Sequence, residues 1–216
     1  MKNFVVIGLG RFGSAVAKTL YDLGYEVLAI DKDEGLVQDI SQNVTHAIAA
    51  DAVDEGVLKS LGVRNFQVAI VALGSDMQSS ILVTLMLKEM GIENIIAKVQ
   101  SEMHAKVLDK VGADRVVFPE RDMGIRVANN LAISNILDCI EISPEYSVVE
   151  IVPPENWVGK TLAQLDIRKR KGINVIAIKH NDKVNISPGA DEIISREDIL
   201  VVVGNNAVIN GLNKHK

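Results

Sequence analysis

The run FVVIGLGRFG at positions 4–13 constrains the fold of this chain more than any other feature. An apolar strand-like segment leads straight into Gly8-Leu9-Gly10-Arg11-Phe12-Gly13, and a segment of helical spacing begins there. A strand that delivers the backbone to a glycine turn at the head of a helix opens a dinucleotide-binding βαβ unit. The three glycines differ in purpose, since Gly8 makes the tight turn, Gly10 leaves room for phosphate, and Gly13 lets helix and strand pack closely. The first helical turn then offers unpaired N–H groups and the positive end of its dipole to an anion. Phosphate is the expected guest.

Beyond the glycine turn the chain repeats the same alternation. Strands are predicted near 3–7, 26–30, 45–49, 67–73, 94–98 and 115–118, and several are apolar on both faces, as parallel strands covered by helices must be. Helices are predicted near 12–23, 33–42, 55–61, 76–90 and 102–111. Gly24, Gly62, Gly91 and Gly112 follow four of these helices, where a left-handed residue ends a helix most easily. Six β-α units in a row predict an α/β fold with a doubly wound parallel sheet. A further helix near 121–137 carries one apolar face through Ile125, Ala128, Leu131, Ala132 and Ile136, suited to its own sheet, a crossover or a dimer contact.

After Ser143-Pro144 the pattern becomes short strands, turn signals and one short helical piece at 162–165, a small α+β module of about 75 residues. Antiparallel pairing is expected across Asn181-Asp182. The predicted domains are therefore 1–138 and 139–216.

The 23 Lys and Arg against 28 Asp and Glu leave a net charge of −5, which argues against nucleic acid as a partner because counterion release needs a concentrated positive face. The one dense basic run, Arg168 to Lys171, reads as a solvated turn. Apolar runs such as VAIVAL at 68–73 fall far short of the roughly 20 residues needed to cross a bilayer. Nothing at the N-terminus has the build of a signal peptide, and Cys139 has no cysteine to pair with, so a cytoplasmic setting is expected.

Asp31 ends the second strand, 23 positions after Gly8, where a carboxylate can accept from two ribose hydroxyls and repel a 2′-phosphate. Ligands sit at the carboxyl ends of such strands, which adds Lys32, Asp51, Ala52, Ala72, Leu73 and Gly74, with Phe12 beside the glycine turn. Arg11 can place a guanidinium over a terminal phosphate, where charge-assisted bidentate bonds are strong. That favours ATP and ADP over NAD(H).

Residues for chemistry are missing: no Tyr and Lys stand four apart on one helix, His46, His104, His180 and His215 show neither an acid-base partner nor metal spacing, and no G-x-S-x-G occurs. Binding without catalysis is expected, so the chain reads as no enzyme. The alternative is an NAD(H)-dependent oxidoreductase or NAD(H) redox sensor on the same fingerprint.

Through FVVIGLGRFG, EVLAID, THAIAADA, SLGVRNF, VGADRVVFPERDMG and EDILVVVG, nearly the whole chain resembles the KtrA/TrkA-type regulatory subunits of bacterial potassium uptake systems. The resemblance implies a Rossmann-like RCK_N domain followed by a small RCK_C domain. It also implies homodimers assembled into an octameric ring on the cytoplasmic face of a membrane-embedded K⁺ transporter of KtrB/TrkH type, gated by ATP and ADP. By the same match Gly8, Gly10, Arg11, Gly13, Asp31 and Asp51 contact nucleotide. Asp51 stands where some relatives have Asn. Glu120 corresponds to an acid that binds a cation, Mg²⁺ or Ca²⁺, beside the phosphates. In the second domain Arg168, Asn174 and Pro188 match positions that bind cyclic di-AMP in relatives.

Overall fold

The computed structural model describes residues 2–74, 76–132, 136–181 and 183–212. The chain divides into two compact units, Met1–Glu120 and Arg121–Lys216. Among the described residues no helix is long and apolar enough to cross a membrane.

The first unit is built on a six-stranded parallel sheet: β1 (Asn3–Ile7), β2 (Glu26–Asp31), β3 (His46–Ala49), β4 (Val68–Val71), β5 (Asn94–Lys98) and β6 (Arg115–Val117), in the order β3-β2-β1-β4-β5-β6. Alternate residues serve opposite faces. Val5, Ile7, Leu28, Ile30, Ala69 and Val71 pack under α3 (Glu55–Ser60), α4 (Met77–Glu89) and α5 (Glu102–Val111) through Leu58, Val83, Leu87 and Leu108. Val6, Val27, Ala29, Val68 and Ile70 meet Ala17, Val37 and Ile40 of α1 (Arg11–Asp22) and α2 (Glu34–Ile40) on the other side. Strands buried on both faces explain their unbroken apolar sequence. Gly24, Gly62, Gly91 and Gly112 all take positive φ, between 68° and 110°, at helix ends.

The helices differ at their starts in a way that matters for binding. Asp33, Asp54, Asp76 and Ser101 cap α2, α3, α4 and α5 through their side chains, whereas α1 begins at Gly10 with no side-chain cap and no acid in its first turn. The N–H groups that an Asp or Ser satisfies elsewhere are left open at α1.

Asp114 ties β5 to the start of β6, accepting from the Ile95 N–H at 2.8 Å and the Lys88 ammonium at 3.1 Å. Burial pushes its carboxyl upward, but these donors outweigh it and hold it below the usual carboxylate range. A depressed pKa stabilises the fold above the unfolded value of about 3.9 and is lost as pH falls through the folded one. Asp114→Asn should therefore lower stability by about 1 kcal/mol near neutrality, since the group is partly solvated, and the gap should close below about pH 4. Thermal melts across that range test it; a constant gap would mean that charge is irrelevant.

The second unit holds an antiparallel sheet in the order β10-β9-β11-β8-β7, made of β7 (Ile136–Ser143), β8 (Tyr146–Ile151), β9 (Asn174–His180), β10 (Lys183–Asn185) and β11 (Ile199–Asn205). Trp157, Ile167, Ile173, Ile194, Leu200 and Val202 form its core. Helices α7 (Leu162–Leu165), α8 (Ile167–Lys171) and α9 (Asn206–Gly211) complete it.

The structure corrects or completes three expectations. The helix expected at 121–137 is α6 (Pro119–Ala132), and Ile136 and Leu137 belong to β7, so a boundary at 138 falls inside a strand. Ile136 continues a helical spacing of four from Ala132, and only pairing with β8 reveals the alternative. Residues 133–135 of that expected helix lie outside the described residues. Arg168 to Lys171 form α8 rather than a turn, because Ile167 is buried and anchors it. Lys183 pairs with His180 in the expected antiparallel manner, with Asn181 at φ 49°, while Asp182 lies outside the described residues.

Candidate nucleotide site

The sheet order reverses between β1 and β4, and a crevice must open there at the carboxyl ends of the strands. It does: a cleft of about 590 Å³ is lined by Gly8, Gly10, Asp31, Lys32, Asp51, Ala52, Ala72 and Leu73 among others. All eight are residues that the sequence assigned to nucleotide.

The glycine turn is built as its spacing demands. Gly8 has φ 95°, and a Cβ there would lie 2.9 Å from the Ala72 carbonyl carbon. At Gly13 a Cβ would come within 1.8 Å of the Gly8 oxygen, so α1 sits directly against the turn. A Cβ on Gly10 would meet nothing within 4 Å. Two glycines close the packing, and one keeps the cradle open.

Asp31 holds this turn as well as facing the cleft. Its Oδ2 accepts from the Leu9 N–H at 2.6 Å, and its Oδ1 from the Asp33 N–H at 2.9 Å. A carboxylate has about four lone-pair sites, so two acceptor positions are left for ribose hydroxyls. Asp51 similarly accepts from the Val53 N–H at 3.0 Å.

Sequence reasoning missed part of the lining. Asp33, Asp76, Gln78 and Ser79 also face the cleft. The Ser79 hydroxyl, donating at 2.6 Å, holds the Asp76 carboxyl below its usual range, and Lys32 adds to the effect. As helix caps, Asp33 and Asp76 were visible in the sequence only as start signals. Lys98, which does not line the cleft but pairs with Glu120, was missed too, although a lysine ending an apolar strand on the ligand-bearing side is a signal.

Arg11, Phe12, Gly13, Gly74 and Glu120 do not line this cleft. Arg11 is exposed on the first turn of α1 and, among the described residues, makes no hydrogen bond or ion pair. Lys98 joins the others: its Nζ lies 2.5 Å from Glu120 Oε1 and 6.0 Å from the Phe12 ring centroid, and its stem passes over Gly74. The Lys98 bond, more than any other influence, holds the Glu120 carboxyl below its usual range, and Arg11 contributes in the same direction.

Among the described residues no group of three or more His, Cys, Asp and Glu side chains could hold a metal ion. Glu120, one carboxylate already paired with an ammonium, does not make a metal site by itself.

In the second unit Arg168 and Asn174 share a recess of about 140 Å³ with Asp166 and Ile173, but Pro188 does not line it. One histidine expectation is overturned: His180 has an acidic partner, with Nδ1 2.7 Å from Oδ1 of Asp198, which is buried and also accepts from the Ser195 N–H. The two residues stand 18 apart and meet only through sheet pairing between β9 and β11. His104 is buried, and burial pulls its pKa down.

A doubly wound sheet with an open glycine cradle at its switch point defines a nucleotide-binding Rossmann-type domain, here followed by a small antiparallel domain. Residues 4–119 match the TrkA-N domain and residues 147–215 the TrkA-C domain. The chain is 49% identical over 213 residues to Ktr system potassium uptake protein C of Bacillus subtilis, covering 99% of this chain and 96% of that one. It is 45% identical to Ktr system potassium uptake protein A of the same organism, covering 94% and 91%. The chain belongs to the TrkA/Ktr family of regulatory subunits of potassium uptake systems. Among solved structures, the GsuK RCK domain superposes with a TM-score of 0.67 at 19% identity, covering 98% of this chain and 46% of that one. A GsuK channel bound to NAD gives 0.65 at 19% identity, over 98% and 38%. The fold is shared, and this chain spans less than half the length of those chains.

Proposed function

We propose that this protein senses ATP and ADP and thereby gates a membrane-embedded K⁺ transporter of KtrB/TrkH type, without catalysis of its own. The observation that carries the proposal is the uncapped start of α1 at Gly10, open to the cleft and flanked by the unpaired guanidinium of Arg11. An adenosine ribose meets Asp31, and the phosphates run over Gly10 towards Arg11. Assembly into a homodimer and an octameric ring at the cytoplasmic face of the membrane agrees with the exposed apolar residues Met77, Leu82 and Leu85 of α4 and Met123, Ile125 and Val127 of α6. A Mg²⁺ or Ca²⁺ ion at Glu120 would need phosphate oxygens to complete its shell. Cyclic di-AMP would take Arg168 and Asn174 from two copies of the second domain.

The energetics are adequate. Moving a gate from about 1:99 to 99:1 takes roughly 5.5 kcal/mol of differential binding, and one charged hydrogen bond supplies roughly 1.5 to 3 kcal/mol, so two to four coupled sites suffice.

Thermal-shift titrations with ATP, ADP, NADH and cyclic di-AMP test the reading, since a ligand at about 100 times its Kd adds about 2.7 kcal/mol. ATP and ADP should stabilise the chain. Stabilisation by NADH alone, or hydride transfer to any acceptor, would favour the oxidoreductase or redox sensor instead. Arg11→Ala should weaken ATP by roughly tenfold or more and ADP much less, as expected for one charged contact to the terminal phosphate. Equal losses for both nucleotides would remove Arg11 from that role.

A further inference from the structure

We infer that the second unit carries an anion site of its own, a basic recess around Trp157 that takes a small molecule bearing two phosphate groups. The inference is independent of the nucleotide reading above. A recess of about 500 Å³ is lined by Trp157, Lys160, Gln164, Arg170 and Lys171 among others. That volume is ordinary for a small-molecule site. Every charged residue in its lining is a cation. The recess of Arg168 and Asn174 is smaller, includes the acid Asp166, and shares only Ile167 with this one.

The polar groups around it are donors with nothing to donate to. Lys160, Arg170 and Lys171 make no ion pair among the described residues. The Gln164 Oε1 accepts from the Thr161 N–H at 2.9 Å in the capping box of α7, which leaves the amide NH₂ as the free end. Trp157 is only 4% exposed, yet its indole N–H has no acceptor among the described residues. A buried indole usually finds a partner, and the recess that Trp157 lines is the open space in which one can stand. Pairing with the helix dipole accounts for Arg170 and Lys171 at the end of α8, but not for Lys160, which precedes α7. The Lys160 backbone is held from two sides instead, its N–H donating to the Trp157 carbonyl at 3.2 Å and its carbonyl accepting from the Ile194 N–H at 3.0 Å. Donors without acceptors call for a guest that only accepts, and an ionised phosphate does so through three oxygens. Guanidinium and ammonium groups bind it by charge-assisted bonds. Three cations exceed the charge of one phosphate, about −1.5 to −2, and are met by two.

Trp157 is the one tryptophan of the chain, so its fluorescence reads this recess directly. The test is titration of the full chain with pyrophosphate, whose phosphates are adjacent, and with fructose 1,6-bisphosphate, whose phosphates are apart, at an ionic strength held constant with KCl. At least one should give a saturable change in emission, and the tighter of the two identifies the phosphate spacing. Calorimetry on the same pairs gives the affinity even where the emission change is small. Lys160→Gln and Arg170→Gln should each weaken binding by roughly tenfold, the scale of one charge-assisted contact. Lys169→Gln is the control, since it removes the same charge from α8 at a residue outside the lining and should leave the affinity unchanged. All three side chains are exposed, so the variants should fold. Binding should also persist in Gly10→Ala, which impairs the cleft of the first unit; its loss there would move the site to the glycine cradle and overturn the inference. So would saturable binding of neither phosphate compound, a response that KCl alone reproduces, or equal losses in Lys169→Gln and Arg170→Gln.

Discussion

A Gly13→Ala variant is expected to melt earlier and to lose nucleotide affinity by roughly a hundredfold, the scale of an ångström-sized misplacement of positioning groups. Two effects oppose each other in this substitution. Alanine inside α1 gains about 1 kcal/mol of intrinsic helix propensity over glycine. Its Cβ, however, would stand 1.8 Å from the Gly8 carbonyl oxygen, against backbone on one side and Ala72 on the other. Overpacking of that kind costs typically 1 to 3 kcal/mol after relaxation, so the clash wins. Relief requires moving α1 away from the turn, which carries the open N–H groups off the phosphate position. Gly10→Ala is the matched control: φ is an ordinary −64° and nothing lies within 4 Å, so the apo protein should keep its melting temperature while nucleotide affinity falls. Calorimetric melting and titration with ADP separate the two roles. Equal melting temperatures for both variants would contradict the packing assigned to Gly13.

Asp31→Ala should have the second largest effect, and it should reach beyond the ribose. The carboxylate accepts from the Leu9 and Asp33 N–H groups, so it holds the glycine turn and the entry to α2 together. Two hydrogen bonds to a charged acceptor, partly solvated here, contribute about 2 to 4 kcal/mol of stability. Losing the ribose acceptors as well should lower adenine-nucleotide affinity by more than roughly tenfold. Asp31→Asn should fall between, because the amide has one acceptor oxygen and must turn its NH₂ towards one of the two backbone donors. The expected order of melting temperature is therefore wild type, Asn, Ala. Were the alanine variant as stable as wild type and impaired only in binding, Asp31 would be a ribose contact and nothing more.

The first unit was legible because its signals are local. Parallel strands such as FVVI and VAIV are apolar on both faces, helix starts carry Asp or Ser caps, and helix ends carry glycine in the left-handed region. The second unit was less so. At the start of β7, Ile136 keeps a helical spacing of four from Ala132, and the antiparallel partner that decides for a strand comes later in the chain. In α8 four consecutive cations hid a helix whose buried residue is the isoleucine before them.

By itself the amino-acid order determined the cradle: three glycines and an acid at the right spacing specify a phosphate turn, since backbone room and lone pairs depend on neighbours along the chain. Tertiary structure alone decided what stands beside it. Lys98 meets Glu120 across 22 residues and His180 meets Asp198 across 18, pairs that exist only because adjacent elements bring distant side chains within hydrogen-bond reach. Charge interactions act through space over a few ångströms, and chain separation carries no record of which distances folding will make short.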